Sequence, residues 1–241
     1  MFKTKKSSLL ASIAMVTVST LIYLWETKKP KRNYENKVSH DTFNSSVGLV
    51  NKLTNSLIVS NSYSLFDLAK QKNFGLLRQF NISEQLRTIY AIILIDIWQY
   101  WWHRFNHKLP VLWQFHKFHH QDEQLNASSA IRFHFLEISI STIIRIAVFI
   151  PLGIDKKDIS IYESFLLPII IFHHANINIS DSLDRSIKRL IVTPSFHRIH
   201  HSKNENESNN NYSSLLSFWD NIFNSYIEND ASNIIDFGIQ N

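Results

Sequence analysis

The sequence has no cysteine. Disulfides, cysteine-ligated iron–sulfur clusters, thiolate zinc sites and cysteine nucleophiles are therefore excluded. Glycine is scarce, with four in 241 residues, so phosphate-binding loops and dinucleotide fingerprints have no raw material. No H-E-x-x-H or G-x-S-x-G occurs, which removes the common zinc-protease and serine-hydrolase signatures. The net charge of +5 comes with no RRM, KH, zinc-finger or helix-turn-helix pattern, so no nucleic-acid partner is expected. What the chain has in excess is histidine, 12 residues, of which all but His40 lie between His103 and His201.

Long apolar runs come next. Ser7 to Trp25 is uncharged and about long enough to span a bilayer, with lysines before it and "KKPKR" after it. No small-residue cleavage site follows, so it reads as a retained anchor rather than a signal peptide. Leu86–Trp102, Leu136–Gly153 and Ile159–His174 are further candidate spans, and Val47–Leu68 is a weaker one. Each carries few charges: Arg87 and Asp96 in the first, Glu137 and Arg145 in the second, Glu163 in the third. The second and third are separated by only "IDKKD", which dictates an antiparallel hairpin whose open ends carry His134 and His174. Those histidines, with His103, then share one membrane face. Arg104, Lys108, Lys117, Arg132, Arg185, Lys188, Arg189, Arg198 and Lys203 share that face, while the opposite turn is charge-balanced. The positive-inside rule puts the histidine side in the cytoplasm, at the inner membrane if the source is bacterial. The first anchor is basic at both ends and stays unoriented. Trp98, Tyr100, Trp101, Trp102 and Trp113 are read as an interfacial aromatic belt.

The histidines fall into a register. "HRFNH" places His103 and His107 four apart; "HKFHH" gives His116, His119 and His120; "HRIHH" gives His197, His200 and His201; "FHHAN" adds His173 and His174. On a helix, positions i, i+3 and i+4 share a face, so each H-x-x-H-H run aims three imidazoles at one place. Neutral imidazole suits iron, zinc, copper or nickel. Eight to eleven such ligands, with His134 counted, exceed what one ion accepts and imply two. Asp96, Glu137 and Asn176 are expected to position ligands by accepting or donating hydrogen bonds: Asp96 seven residues before His103, Glu137 three after His134 and in reach of Arg132, Asn176 two after His174. His40 stands outside the pattern and reads as an ordinary polar residue.

The strings "DIWQYWWHRFNH", "LWQFHKFHH", "SSAIRFHFLE", "FHHANI", "TPSFHRIHHS" and "NNYSSLLSFWDNIF" resemble the fatty acid hydroxylase/sterol desaturase superfamily, in the family's order, over roughly Asp96 to Phe223. Phe135, Ser128 and Ser129 depart from the usual residues. The resemblance implies a membrane-embedded di-iron oxygenase that hydroxylates or desaturates a lipid, with two iron ions, O2 as co-substrate and electrons from an external ferredoxin or cytochrome. The expected architecture is all-α: an integral membrane helical bundle with a cytoplasmic-facing, histidine-rich di-metal cap. It divides as an anchor (1–30), a membrane-associated region (31–85), a catalytic domain (86–226) and a loosely structured tail (227–241). The last quoted block reads as a short amphipathic helix. Competing readings of the same histidines are a bis-histidine haem electron carrier, a metal-binding or transport protein, and a histidine-ligated zinc hydrolase.

Overall fold

The computed structural model describes residues 2–229 and 236–240. Among these the chain is helical, with isolated bridges and no strand. Ten α-helices follow in order: α1 (Phe2–Lys28), α2 (Lys37–Gln71), α3 (Glu84–Lys108), α4 (Pro110–His120), α5 (Phe135–Leu152), α6 (Lys156–His174), α7 (Asp181–Ile187), α8 (Pro194–His200), α9 (Glu205–Ser208) and α10 (Phe218–Ile222). Two of them, over Leu10–Lys28 and Phe135–Leu152, are long and apolar enough to cross a membrane. The apolar outer residues of α1, among them Leu10, Val16 and Leu21, are exposed.

Local chemistry sets the boundaries. Ser83 accepts the Leu86 amide at the start of α3, an N-cap bond that satisfies a donor the helix cannot. Pro110 opens α4 at its first turn, where a missing N–H costs nothing. Asp155 and Asp158 form a capping box at α6. Between α5 and α6 the chain reverses through Gly153, at φ 78°. Gly75, at φ 121°, packs directly on it; a Cβ there would lie 2.4 Å from the Gly153 Cα. Only two glycines can meet this closely with left-handed backbones. Arg78 pairs with Asp155 at 2.6 Å at the same end.

The hairpin therefore forms as the sequence requires, and it returns the chain to the end where α3 delivers His103. Helix α2 packs beside α5, and α1 beside α6. Residues Phe66, Ala91, Ile95, Phe149, Tyr162 and Leu166 form the core between the helices, away from the histidine end. The segment after α1 is sewn to the residues following His174: the Lys31 amide donates to the Asn176 carbonyl at 2.8 Å, and Glu26, fully buried, accepts the amides of Ala127 (2.7 Å) and Asn176 (2.8 Å). The C-terminal end of α1 thus lies at the histidine end.

Three expectations change. Val47–Leu68 is not a separate span but the interior of the 35-residue α2. Tyr100 and Trp102 are buried rather than interfacial: Tyr100 stacks on Phe223 and meets Tyr212 edge-on. The block "NNYSSLLSFWDNIF" is helical only from Phe218; before it Asp220 captures the amides of Tyr212 and Ser213, and Leu216 bridges to Ile191. The tail is partly packed, with Phe237 buried against Leu125 and Ile199. Residues 230–235 and 241 of that tail lie outside the described residues.

Candidate metal centre

Nine histidines converge at one end of the bundle in two groups. His103, His107, His116, His120 and His200 form one; His119, His174, His197 and His201 form the other, with ligand atoms of each group within 4.8 Å of one another. The helical register explains the split. In α4, His116 and His120 are one turn apart and face the first group, while His119 is rotated toward the second. In α8, His200 goes to the first group and His197 and His201 to the second. The two H-x-x-H-H runs therefore each serve both groups, which brings the groups side by side: His120 and His201 stack with ring centres 4.4 Å apart.

The outer ring nitrogens are fixed. His103 Nδ1 faces the Tyr212 carbonyl at 2.7 Å, His200 Nδ1 the Asn210 carbonyl at 2.8 Å, His119 Nδ1 the Arg132 carbonyl at 3.0 Å, and His174 Nδ1 the Ile170 carbonyl at 2.8 Å. A carbonyl only accepts, so each Nδ1 carries the proton and each Nε2 presents a lone pair. Yet Nε2 of His174 and Nε2 of His119 stand 3.2 Å apart, facing each other. Two lone pairs at that distance repel unless a cation lies between them. In the first group, Nε2 of His107, His116, His120 and His200 are buried with no hydrogen-bond partner, a cost that metal coordination removes. The donor set fits two transition-metal ions held by imidazole. Burial holds His119, His120, His197 and His201 well below the ordinary imidazole range and His200 down to about 3, so these five are neutral at pH 7, as metal binding requires. The arrangement does not suit a haem, whose macrocycle must separate its two axial histidines; here the imidazoles point at one another.

The remaining site residues are placed as follows. Glu137 accepts from His116 Nδ1 at 2.7 Å; it orients His116, not His134, and Arg132 does not pair with it. Arg132 instead reaches the Phe118 carbonyl and lies over the Phe43 and Phe118 rings. His134 belongs to neither group. It caps α5, its Nδ1 accepting the Leu136 amide at 3.2 Å, a local bond that turns the ring away from the cage. His173 is buried beside the second group, its ring 4.0 Å from that of His197, without joining it. Asp96 is far from His103's ring nitrogens in bonding terms: it accepts Tyr162 Oη at 2.7 Å and Trp219 Nε1 at 2.6 Å, tying α3 to α6 and α10. Seven residues along a helix is about 10 Å, beyond direct reach. The Asn176 side chain accepts the Arg32 amide and donates to the Arg32 carbonyl, and meets no histidine.

Sequence reasoning missed the backbone carbonyls, which carry no residue-type signal. It also missed His40. His40 faces Asp122 at 2.7 Å within a buried net of Asp41, Asn44, Asn126 and Ser128 that clamps α2 to the loop after α4. The only hint was a histidine and an aspartate at the start of a long helix.

The fatty acid hydroxylase model matches residues 88–225, which takes in all nine converging histidines. The chain belongs to the fatty acid hydroxylase family. Among its relatives, human alkylglycerol monooxygenase is 29% identical over 73% of this chain and 36% of its own length. The zebrafish alkylglycerol monooxygenase is 30% identical over 56% of the chain and 29% of its own length. Ornithine lipid hydroxylase OlsE of Rhizobium tropici is 27% identical over 64% of the chain and 45% of its own length. The matched regions thus span under half the length of these relatives. No solved structure matches.

Proposed function

We propose that this family member is a membrane-bound, O2-dependent lipid hydroxylase or desaturase with two iron ions at the paired histidine groups. The observation that carries the reading is the convergence of nine histidines in two adjacent groups, five of them with Nδ1 on a fixed acceptor and Nε2 left for a metal. The names of the relatives, monooxygenases and a hydroxylase of lipids, point to the same class. When bound, the metals supply activation of O2 and the oxidising strength for an unactivated C–H bond. The protein's part is geometric. Carbonyls of Tyr212, Asn210, Arg132 and Ile170 lock four tautomers, Glu137 locks a fifth, and the Phe133 ring stacked 4.3 Å from His119 keeps one wall apolar. A cavity of about 190 Å³ opens onto His103, His116, His119, His174 and His197.

The histidine end is assigned to the cytoplasm by the positive charge of its loops. An external electron donor of ferredoxin or cytochrome type then docks there, and exposed Lys108 and Lys117 suit an acidic partner. Charge reversal at both is expected to lower donor-supported turnover while leaving iron content unchanged. The central test is iron content together with O2 consumption and mass spectrometry of lipids from cells with and without the protein. Gain of one oxygen identifies hydroxylation, and loss of two hydrogens identifies desaturation. A protein with zinc in place of iron and product formation without O2 would overturn the oxygenase in favour of a hydrolase.

A further inference from the structure

Of the nine converging histidines, eight are buried and His107 alone is not. The paired groups therefore come nearest the surface at one edge of the first group, and Trp113 covers that edge. Its ring centre lies 5.1 Å from that of His107, 5.6 Å from His120 and 6.2 Å from His116. Trp113 is itself half-buried, so one indole joins three ligand rings to the outside. Tyr212 also meets His107, but it is fully buried. The second group has no such neighbour among the described residues: Phe133 stacks on His119, and the other rings around it are histidines.

Around Trp113 the corner between α3 and α4 is open. Helix α3 starts at the far end of the bundle, where Glu84 pairs with Lys157, and its last turn carries Lys108 about 7 Å past His103. The corner thus projects away from the apolar span of α5, which runs from Phe135 back toward that far end. It nonetheless presents large apolar side chains: Leu109 is 48% exposed and Val111 67%. Lys108 and Lys117 stand at its rim, both exposed. Lys117 lies one turn after Trp113 on α4, and Lys108 reaches the neutral Asn209 side chain at 3.3 Å. An exposed apolar patch with a charged rim marks a contact surface, and one turned from the bilayer is not accounted for by lipid.

We infer that this corner is the docking surface for a small acidic protein that carries one electron at a time, and that electrons enter the first histidine group through Trp113 and His107. The inference rests on the proposed oxygenase and names its partner and the point of entry. The rim lysines match acidic groups on the carrier, and Leu109 and Val111 supply the apolar centre. Encounters of this kind bury less than about 1,200 Å², so a patch built on one helix corner suffices. Each encounter oxidises the carrier by one electron and reduces the metal of the first group by one, with no bond made or broken. Two encounters furnish the pair that a monooxygenation consumes.

The test uses the iron-loaded full chain in phosphatidylcholine nanodiscs, whose lipids carry no net charge. Binding is measured by biolayer interferometry with two probes, a strongly acidic plant-type ferredoxin and a basic c-type cytochrome. The ferredoxin is expected to bind and the cytochrome not, and added salt should weaken the ferredoxin complex about tenfold. Val111→Glu and Lys117→Glu are each expected to weaken it by about tenfold as well. Arg185→Glu combined with Lys203→Glu, which reverses cations of the same end away from the corner, is expected to change nothing. Trp113→Leu is expected to bind the ferredoxin as before but to slow anaerobic oxidation of the reduced ferredoxin severalfold, followed by its visible absorbance, with iron content measured on the same sample. Should Trp113→Leu lose iron, Trp113→Phe, which keeps a ring against His107, takes its place. Equal binding of the two probes, no salt-sensitive ferredoxin binding, wild-type binding by both corner variants, or an unchanged oxidation rate in the Trp113 variant overturns the inference. Docking without O2-dependent product leaves the surface standing and removes the oxygenase reading. O2-dependent product that needs no carrier at this corner removes the surface and keeps that reading.

Discussion

At the scale of single residues, the site depends as much on what holds the imidazoles as on the imidazoles. Glu137→Leu removes the acceptor from His116 Nδ1. Metal affinity is expected to fall by about 10–100-fold, the usual cost of losing such a partner, as measured by competition with a chelator; Glu137→Gln, which still offers an oxygen, is expected to lose less. Asp96→Ala leaves the Tyr162 hydroxyl and the Trp219 indole N–H buried without an acceptor. About 1–3 kcal/mol of stability per orphaned donor should be lost, seen as a lower melting temperature, with the metal-to-protein ratio of the folded fraction unchanged. The contrast separates a ligand-orienting carboxylate from a helix-tying one. The sequence could not make that separation. Glu137 and Asp96 are both carboxylates within a few residues of a histidine, and only the rotation of α3 and α5 within the bundle decides which meets an imidazole.

Helix register carries the elements. The i, i+3, i+4 pattern in "HKFHH" and "HRIHH" was legible because a short ligand run needs only its own helix to be understood. The same rule did not reveal that each run divides between two groups, since that follows from how α4 and α8 face each other. His134 shows the limit from the other side: it sits at the mouth of the hairpin as parity requires, but at an N-cap the ring bends back to the helix. The carbonyls of Asn210 and Tyr212 come from a stretch that reads as an amphipathic helix and is instead a loop pinned by Asp220. Asp220→Ala should therefore release those carbonyls and reduce metal retention, although Asp220 touches no histidine ring, and hydrogen exchange at Tyr212 and Ser213 should rise in parallel. At the far end, Gly75→Ala forces a methyl against the Gly153 backbone at 2.4 Å. Lower stability by well over about 1 kcal/mol is expected, with ligand geometry untouched in whatever protein folds.

For the whole molecule, the cage places many neutral imidazoles in a dry interior, and this couples metal, pH and stability. In metal-free protein the folded imidazoles resist protonation, His200 down to about 3, whereas in the unfolded chain they protonate near about 6.5. The unfolded state thus binds more protons below that value, and stability falls as pH drops from 7 toward 5. His200 alone accounts for about 2 kcal/mol at pH 5 on this basis. Melting in the presence of a chelator at pH 7 and pH 5 should show the loss, and added metal should oppose it at both. The all-helical class and the hairpin were readable because hydrophobic length acts over many residues. The clamp of Glu26, Asp41 and His40 on the loops beside the cage was not, because it joins positions some 80 to 150 apart in the chain through buried polar bonds with no local pattern.

The division of both histidine runs between the two groups has a consequence for biogenesis. Of the second group only His119 precedes the α5–α6 hairpin; His174 closes that hairpin, and His197 and His201 follow it. The first group likewise waits for His200, and its outer bonds wait for Asn210 and Tyr212. A ribosome-bound chain inserting its helices in order holds neither ion site complete until nearly all of this region has been made. On the proposed function, metal loading therefore follows synthesis of the whole region and cannot begin at a half-made site.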